Sequence, residues 1–583
     1  MFKLFKELGK KYLLYAMICV TFISLNVFLE LKIPEYMSEI TVLVQTKGSK
    51  MSEIIHQGSF MLLCAIGSLI ASFVVGYFAS HVAAYFGKIT RKNIFQKIGT
   101  FSSEEIKKFS TSSLITRTTN DVTQVQMLIA MGLQAIIKAP IMATWAIIKI
   151  SGKNSLWSLV TLISVILLLI IIGIIMYLVF PKFKLVQKLT DKLNRITREN
   201  LTGIRVIRAF NAESYQQKKF EDANEELKNI QLFNQKTFGL LSPAMSLISS
   251  GLTLLIYLIG ASLINDANAM DKLTLFGDMV VFSSYAMQVI MSFMMLIMIF
   301  IIYPRASVSA RRIIEVLETE ETIKDGNLIE GKETGTVEFK NVSFKYPDAE
   351  EYMLKDISFK VNQGETVAFI GSTGSGKSTL INLVPRFYDV TEGEILVNGI
   401  NVKDYKIEAL NNIIGYVPQK AVMFSGTIKE NVSYGDSGKG KITLATIKEA
   451  IKIAQGKDFV EKMNNKYDAD IARGGTNISG GQKQRLAIAR VIARKPEIYI
   501  FDDSFSALDY KTDFILRKEL NKHTKQATKL IVAQRIGTIK EADKIFVLDE
   551  GIIVGAGTHQ ELIKSCKVYK EIALSQLGEE ELN

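Results

Sequence analysis

The sequence is poor in cysteine, and the few cysteines it has are not arranged for a disulfide or a metal centre. Its 583 residues include three cysteines. Cys19 and Cys64 lie in apolar runs and Cys566 lies near the C-terminus, without metal-ligand spacing. Structural disulfides are therefore not expected. No small-residue cleavage site follows the lysine-rich N-terminus, so we expect no removable signal peptide.

Charge is almost absent from six long stretches. A membrane span needs about 20 predominantly apolar residues, so the pattern predicts six transmembrane helices. Lys138 interrupts the third stretch, and an intramembrane charge is by default a candidate functional residue. The six stretches are Tyr12–Leu29, Ile54–Gly87, Met127–Ile148, Asn154–Pro181, Phe238–Asn265 and Met279–Pro304.

The segments between the spans alternate in length and charge. Those after the second and fourth spans, Lys88–Val125 and Lys182–Lys236, are long and rich in lysine and arginine. This bias puts them and both termini in the cytoplasm, and their apolar spacing predicts helices that continue out of the membrane. Residues 1–11 are predicted to form a basic amphipathic lead-in on that surface. We therefore attribute the net charge of +12 to membrane orientation rather than to nucleic-acid binding.

The segment Gly371-Ser-Thr-Gly-Ser-Gly-Lys-Ser378 fits the phosphate-loop pattern, with a predicted strand before it and a predicted helix after it. Its glycines allow backbone N–H groups to wrap a phosphate, and the helix directs its positive end at the same anion. Lys377 is expected to reach the β- and γ-phosphates, and Ser378 to bind Mg²⁺. The predicted phosphate-binding residues are Gly371, Ser372, Thr373, Gly374, Ser375, Gly376, Lys377, Ser378 and Thr379.

Three further segments fit a nucleotide site. Tyr346 is a candidate platform for adenine, although a core tyrosine is the alternative. Asp502 ends an apolar strand and is expected to hold Mg²⁺ through oxygen; the alternative is a helix N-cap. The segment Ile478-Ser-Gly-Gly-Gln482 opens an Ala/Arg-rich helix and forms a second anion-binding element.

From Thr336 onward, short apolar strands alternate with helices, as in a soluble α/β domain. The predicted fold is thus an α-helical membrane domain with long cytoplasmic extensions, followed by an α/β phosphate-loop domain. We place the transmembrane domain at 1–320, a linker at 321–335, the nucleotide-binding domain at 336–575 and a tail at 576–583.

With these motifs together, residues 1–575 resemble an ATP-binding cassette exporter of the half-transporter kind, with six spans and one cassette. The phosphate loop, the ISGGQ signature and the segment Phe501–Asp509 carry the resemblance. In that family the signature of one cassette closes over ATP held by the phosphate loop of another, in a head-to-tail dimer. The resemblance assigns ATP contacts to Ser479, Gly480, Gly481, Gln482 and Asp509.

The resemblance also assigns Gln419 to the loop that senses Mg²⁺ and contacts the transmembrane part. It assigns Ser506–Asp509 to a loop that crosses the dimer interface. The segments near Ser102–Lys107 and Ala212–Lys218 correspond to the family's coupling helices.

Two positions depart from the family pattern. Asp503 stands where the family usually has the glutamate that polarises the attacking water, and Gln534 stands where it has a switch histidine. Loss of one methylene withdraws a carboxylate by about 1.5 Å, and a misplacement of about 1 Å can cost on the order of 10²-fold in rate. Glutamine cannot carry a proton at neutral pH. The site is expected to hydrolyse ATP poorly; the alternative is that both residues are tolerated variants.

These observations predict ATP-driven export of amphipathic or apolar compounds, with ATP and Mg²⁺ as cofactors. The expected protein is a multi-pass cell-membrane protein whose cassette and termini are cytoplasmic. Its expected partner is a second half-transporter with Glu and His at the positions matching Asp503 and Gln534. Two alternatives stay open: an ATP-binding regulatory or gating subunit, and an importer on the same scaffold. A nucleic-acid ATPase accords poorly with six spans.

Overall fold

The computed structural model describes residues 9–46, 48–151, 154–435 and 438–576. The chain divides into two compact units. The first comprises Met1–Lys97 with Ser112–Thr319, and the second comprises Ile98–Thr111 with Glu320–Asn583. Most of the basic lead-in predicted for residues 1–11, and of the tail predicted for 576–583, falls outside the described ranges.

The first unit consists of long helices. In lipid every backbone polar group must find its partner within the chain, and a continuous helix provides this. The helices are α1 (Lys10–Gln45), α2 (Met51–Gly99), α4 (Thr111–Thr116), α5 (Val122–Ser151), α6 (Ser155–Ala209), α7 (Glu213–Gly239), α8 (Leu241–Asp266) and α9 (Ala269–Glu318), with a π-helix at Arg117–Asp121. The short helix α3 (Ser103–Phe109) belongs to the second unit.

Six described helical stretches are long and apolar enough to cross a membrane, which confirms the predicted count. As predicted, the second and fourth also continue as helices well beyond their apolar runs. The six are Lys10–Gln45, Met51–Gly99, Thr111–Ser151, Ser155–Ala209, Glu213–Asp266 and Asp271–Leu296.

Aromatic side chains fill the interior of the helical unit. Trp157, Phe282 and Tyr285 are each almost fully buried, and the Trp157 indole nitrogen donates to the Ile256 carbonyl at 3.2 Å. Lys138, the charge that interrupts the third apolar stretch, pairs with Glu30 at 2.9 Å. Pairing offsets part of the cost of a charge within the membrane.

The second unit is an α/β structure of short strands and helices. Its strands are β1 (Val337–Phe344), β2 (Leu354–Val361), β3 (Thr366–Gly371), β4 (Glu392–Val397), β5 (Ile400–Asn401), β6 (Ile414–Val417), β7 (Gly426–Thr427), β8 (Asp470–Ile471), β9 (Ile498–Asp502), β10 (Thr528–Val532), β11 (Lys544–Asp549) and β12 (Ile552–Gly557). Its later helices are α10 (Lys377–Leu383), α11 (Ile407–Ile413), α12 (Ile428–Val432), α13 (Leu444–Ile453), α14 (Lys457–Lys462), α15 (Gly480–Arg494), α16 (Tyr510–His523), α17 (Ile536–Ile539), α18 (His559–Ser565) and α19 (Lys567–Gln576).

The larger of the sheets has six strands in the order β12-β11-β3-β10-β9-β6. Strands β11, β3, β10, β9 and β6 are parallel, and β12 is antiparallel to β11. Val532 pairs with Asp502, and Val417 pairs with Phe501, so these strands end at one edge. Ligands of open α/β sheets bind at the carboxyl ends of the strands. The topology therefore places β3, β9 and β10 around a single crevice.

An antiparallel sheet in the order β2-β1-β4-β5 completes the architecture, with a small β7-β8 ribbon. Apolar side chains are buried on both sides of the six-stranded sheet, as its nearly continuous apolar strands require. One cluster includes Phe369, Leu530 and Ile500, which alternate with residues of the other cluster such as Ala368, Ile531 and Phe501.

Candidate functional site

The segment from Gly371 to Lys377 forms a turn between strand β3 and helix α10. Gly374 and Gly376 have φ values of 88° and 96°, in the left-handed region that favours glycine. A Cβ on Gly376 would also lie 2.7 Å from a Leu354 methyl carbon. The backbone thus needs glycine at Gly376 for both conformation and space.

The ammonium group of Lys377 lies against this turn. It donates to the carbonyls of Gly371 at 2.9 Å and Ser372 at 2.6 Å. Burial lowers the pKa of Lys377, and the charges of Asp503 and Asp502 oppose that shift. A phosphate would give the buried cation a charged partner in place of two carbonyls.

Asp502 and Ser378 lie side by side at the end of strand β9 and the start of helix α10. The Ser378 hydroxyl donates to Asp502 Oδ1 at 2.7 Å, and the Tyr416 hydroxyl donates to Oδ2 at 3.4 Å. Burial raises the pKa of Asp502, and the hydrogen bonds from Ser378 and Tyr416 oppose that shift. Magnesium is commonly held by one or two carboxylates together with phosphate oxygens, so this pair of oxygen donors fits Mg²⁺. In the described part of the chain, no cluster of three or more His, Cys, Asp or Glu residues suggests another metal site.

Asp503 is held by two amide side chains. Gln534 Nε2 donates to Asp503 Oδ2 at 3.0 Å, and Gln419 Nε2 donates to the same oxygen at 3.3 Å. Burial raises the pKa of Asp503, and its hydrogen bonds with Gln419 and Ser506 lower it. Asp503 also has a positive φ of 44°, unusual for a residue other than glycine. Strand β9 ends at Asp502, and the left-handed backbone of Asp503 belongs to the bend that follows it.

Lys377, Ser378, Gln419, Asp503 and Gln534 line one cavity of about 210 Å³, whereas Asp502 and Tyr416 are absent from its described lining. Its described lining adds Met353 and Val532, which the sequence patterns did not single out. It also contains most of the phosphate loop and the two residues that depart from the family pattern. The predicted members are Thr373, Gly374, Gly376, Lys377, Ser378, Thr379, Gln419, Asp503 and Gln534.

Tyr346 lies beside the phosphate loop and is half-buried. Its hydroxyl is 3.0 Å from the Thr379 hydroxyl. Its ring makes an edge contact with Tyr388, and the Lys107 ammonium lies 5.0 Å from the ring centroid. The ring is thus adjacent to the predicted site, and a cation of helix α3 approaches it within the same unit.

The signature segment lies elsewhere in the unit. Among the described residues that line the cavity, none belongs to Ser479–Gln482 or is Asp509. Ser479 caps helix α15: its hydroxyl accepts from the Gln482 N–H at 3.3 Å, and the Gln482 side chain accepts from the Ser479 N–H at 2.9 Å. Ser479 and Gly480 are exposed, so this positive helix end faces outward. Asp509 caps helix α16 by accepting from the Thr512 N–H, which lowers its pKa.

Sequence reasoning missed two contacts of the site. Tyr416 bonds to Asp502 from the neighbouring parallel strand β6, a placement that only strand order reveals. Gln576, near the end of the described chain, bonds to the backbone on both sides of Arg535. No local pattern marks Gln576, because its partners lie about 40 residues earlier.

Comparison with known proteins agrees with this geometry. Residues 354–506 match the ABC transporter family, and residues 16–293 match the ABC transporter transmembrane region. An uncharacterized ABC transporter ATP-binding protein of Mycobacterium tuberculosis is 39% identical over 536 residues, covering 90% of this chain and 89% of its own length. An ATP-dependent lipid A-core flippase of Pseudomonas savastanoi pv. phaseolicola is 31% identical over 521 residues, covering 89% of this chain and 85% of its own length.

A solved bacterial Atm1-family ABC exporter with ATP bound has the same fold. Its TM-score is 0.79, at 23% identity, over 97% of this chain and 99% of that chain. A helical membrane unit followed by a phosphate-loop ATPase unit defines an ATP-driven membrane transporter. The chain belongs to the ABC transporter family and is a half-transporter of the exporter type, with one transmembrane region and one ATP-binding domain.

Proposed function

We propose that the chain is one subunit of a heterodimeric ABC exporter whose own ATP site turns over slowly. In this proposal the pair exports amphipathic or apolar, drug- or lipid-like compounds across the cytoplasmic membrane. The cassette and both termini are cytoplasmic, as the basic segments between spans indicate. The name of the Pseudomonas relative, a lipid A-core flippase, supports an amphipathic substrate.

The binding half of the site keeps all the groups that ATP requires. Lys377 would bind the β- and γ-phosphates, and the glycine turn would direct backbone N–H groups at them. Ser378 and Asp502 would hold Mg²⁺, with Gln419 close by. When bound, Mg²⁺ neutralises charge on the phosphate oxygens. We infer that the chain binds ATP tightly, with Tyr346 beside the adenine.

The single observation that carries the slow-site proposal is the environment of Asp503. Its Oδ2 accepts from both Gln534 and Gln419, so two neutral donors already engage the oxygen that would accept a proton from water. The shorter side chain also withdraws the carboxylate, and a general base must lie within hydrogen-bond reach of the proton it takes. Gln534 can orient a phosphate oxygen but cannot gain or lose a proton. The environment and short side chain of Asp503, together with the Gln534 amide, should therefore reduce hydrolysis without removing ATP binding.

The outward-facing signature supports a dimer. Ser479 and Gly480 are exposed at the start of helix α15 and do not line this chain's own described cavity. An exposed helix N-terminus of this kind binds anions, and in a head-to-tail dimer it would serve the ATP held by the partner. An intact signature beside a weak own site suits a chain that completes the active site of a different subunit. The segment Ala212–Lys218 at the start of helix α7, with Tyr215 exposed, is the one proposed to reach the partner's cassette.

The proposal is tested by reconstituting the chain with its half-transporter partner and measuring ATP turnover together with vectorial transport. Changing the partner's glutamate to glutamine should nearly abolish turnover, whereas Asp503→Asn should reduce it much less. If the chain alone transports as fast as any pair, the heterodimer proposal is wrong. ATP binding without transport by any pair would instead identify a regulatory or gating subunit.

A further inference from the structure

The side chain of Gln576 binds both sides of a short loop that carries Gln534. Gln576 Nε2 donates to the Gln534 carbonyl at 2.6 Å, and Gln576 Oε1 accepts from the Ile536 N–H at 2.8 Å. We call residues Gln534–Ile536 the Gln534 loop. A carboxamide has a donor and an acceptor at fixed separation, so this one side chain fixes two backbone groups at once.

Helix α19 delivers Gln576 to this position through a firmly packed face. Tyr569 and Ala573, at spacings of seven and three residues before Gln576, are fully buried, and these spacings put all three on one side of the helix. The Tyr569 hydroxyl is also 2.7 Å from His559 Nδ1. Because the helix is anchored one and two turns earlier, Gln576 is held in place against the loop.

The Gln534 loop is attached to the site in two other directions. The Gln534 side chain donates to Asp503 Oδ2 at 3.0 Å. The Arg535 guanidinium donates to the Ser506 carbonyl at 3.2 Å and to the Leu508 carbonyl at 3.5 Å. The segment Ser506–Asp509 is the one that the family resemblance assigns to the dimer interface. A displacement of helix α19 would therefore move the Gln534 amide relative to Asp503.

We propose that Gln576 is a positioning residue for the ATP site: it holds the Gln534 amide against Asp503 and so helps to keep hydrolysis slow. Gln576 is absent from the described lining of the ATP cavity, so it acts through the Gln534 loop and not on the nucleotide. The inference rests on the proposed role of the pair Asp503 and Gln534. It adds a control point that no phosphate-binding motif contains.

Two substitutions distinguish the contributions of the two hydrogen bonds made by Gln576. Gln576→Met has nearly the same shape and removes both bonds. Gln576→Glu keeps the acceptor for the Ile536 N–H but replaces the donor to the Gln534 carbonyl with an oxygen. Ser575→Ala is the matched control, because among the described residues the Ser575 hydroxyl bonds to the Ile572 carbonyl of its own helix.

The full-length protein is purified, and hydrogen–deuterium exchange is followed in peptides that cover Ala533–Thr538. Single-turnover hydrolysis of bound ATP is measured in parallel over a range of ATP concentrations. Gln576→Met should accelerate exchange of the Ile536 amide. It should also raise the turnover rate by up to about fivefold, the factor for one hydrogen bond of about 1 kcal/mol, because a loosened Gln534 amide occupies Asp503 Oδ2 less. The ATP concentration for half-maximal rate should stay within about twofold, since phosphate contacts are unchanged. Gln576→Glu should keep the slow exchange of the Ile536 amide and still raise turnover, because it loses only the bond to the Gln534 carbonyl.

A double-mutant comparison shows whether Gln576 acts through Gln534. In a Gln534→Ala background, Gln576→Met should change turnover by less than about twofold. An equal change of turnover in both backgrounds, a loss of turnover in Gln576→Met, or unchanged exchange and turnover in that variant would overturn the proposal. The proposed slow site is judged separately, from the absolute wild-type rate, because these tests use only ratios between variants.

Discussion

Asp502 and Asp503 are adjacent in the sequence, but the structure gives them different surroundings. Asp502 accepts from two hydroxyl groups, Ser378 and Tyr416, and lies beside the start of helix α10. Asp503 accepts from two amides, Gln419 and Gln534. Hydroxyls can join a carboxylate in binding a hard cation, whereas amide donors only occupy it. In our proposal, this comparison separates a complete binding side of the site, around Asp502, from an altered hydrolytic side, around Asp503.

The binding side can be broken by Lys377→Ala. A hydrogen bond to a charged group contributes about 1.5–3 kcal/mol, so ATP affinity of the full-length protein should fall by about tenfold to a hundredfold. Equilibrium titration with a fluorescent ATP analogue measures it. Lys518→Ala, an exposed lysine on helix α16, is the control. Unchanged affinity in Lys377→Ala would remove the phosphate loop from the proposed site.

Ser378→Ala tests the magnesium part of the binding side. The substitution removes the hydroxyl that donates to Asp502 Oδ1, so the Mg²⁺ concentration required for tight ATP binding should rise about tenfold, the factor for about 1.4 kcal/mol. Binding measured without Mg²⁺ should change much less. An equal loss with and without the metal would point to a general disturbance of the loop.

Asp503→Asn tests the hydrolytic side and should have a small effect. If Asp503 is already a poor base, turnover of a co-expressed pair should fall by less than about threefold. Removal of an efficient general base would lower the rate by about 10²-fold or more. Thermal stability should rise at neutral pH, because burial raises the pKa of this carboxyl and so makes its ionised form unfavourable. That gain should vanish as the pH falls below about 4, where the carboxyl is protonated even in the unfolded chain.

Glu105 of helix α3, in the ATPase unit but outside the ATP site, should show the opposite effect on stability to Asp503. Its carboxylate accepts from the backbone N–H groups of Ser102 at 2.7 Å and Thr322 at 2.8 Å. Burial would raise the pKa of Glu105, but hydrogen bonds from Ser102 and Thr322 outweigh it and lower the pKa to about 2. Glu105→Gln should therefore lower the melting temperature at pH 7. The difference should shrink as the pH falls below about 4 towards 2, where the stabilisation is lost; a pH-independent difference would contradict this.

The patterns that predicted the fold are those whose physical cause is local. Uncharged runs of about 20 residues predict membrane spans wherever they occur, and the six-span count is confirmed. The phosphate loop was equally easy to predict, because its glycines, lysine and serine all lie within eight consecutive residues. The left-handed backbone of Gly376 is also a local requirement for glycine. The continuation of helix Ser155–Ala209 beyond its apolar run was also predicted, from the helical spacing of apolar residues. The end of this helix at Ala209 has no such signal in the sequence.

The contacts that join distant segments could not be predicted in the same way. Tyr416 meets Asp502 because strands β6 and β9 are neighbours, and Gln576 meets the Gln534 loop because helix α19 folds back onto it. Neither of these contacts produces a periodic pattern in the sequence. The roles of Asp503 and Gln534 remain predictions, although the structure adds that the two side chains are hydrogen-bonded to one another.

The most direct measurement is ATP turnover by the purified chain alone, compared between the wild type and the double variant Asp503→Glu/Gln534→His. The signature Ser479–Gln482 is intact, so a homodimer of the double variant would contain complete sites. The account predicts slow turnover by the wild type, an increase of more than about tenfold in the double variant, and only a partial increase from Asp503→Glu alone. Wild-type turnover as fast as that of the double variant would contradict the slow-site proposal.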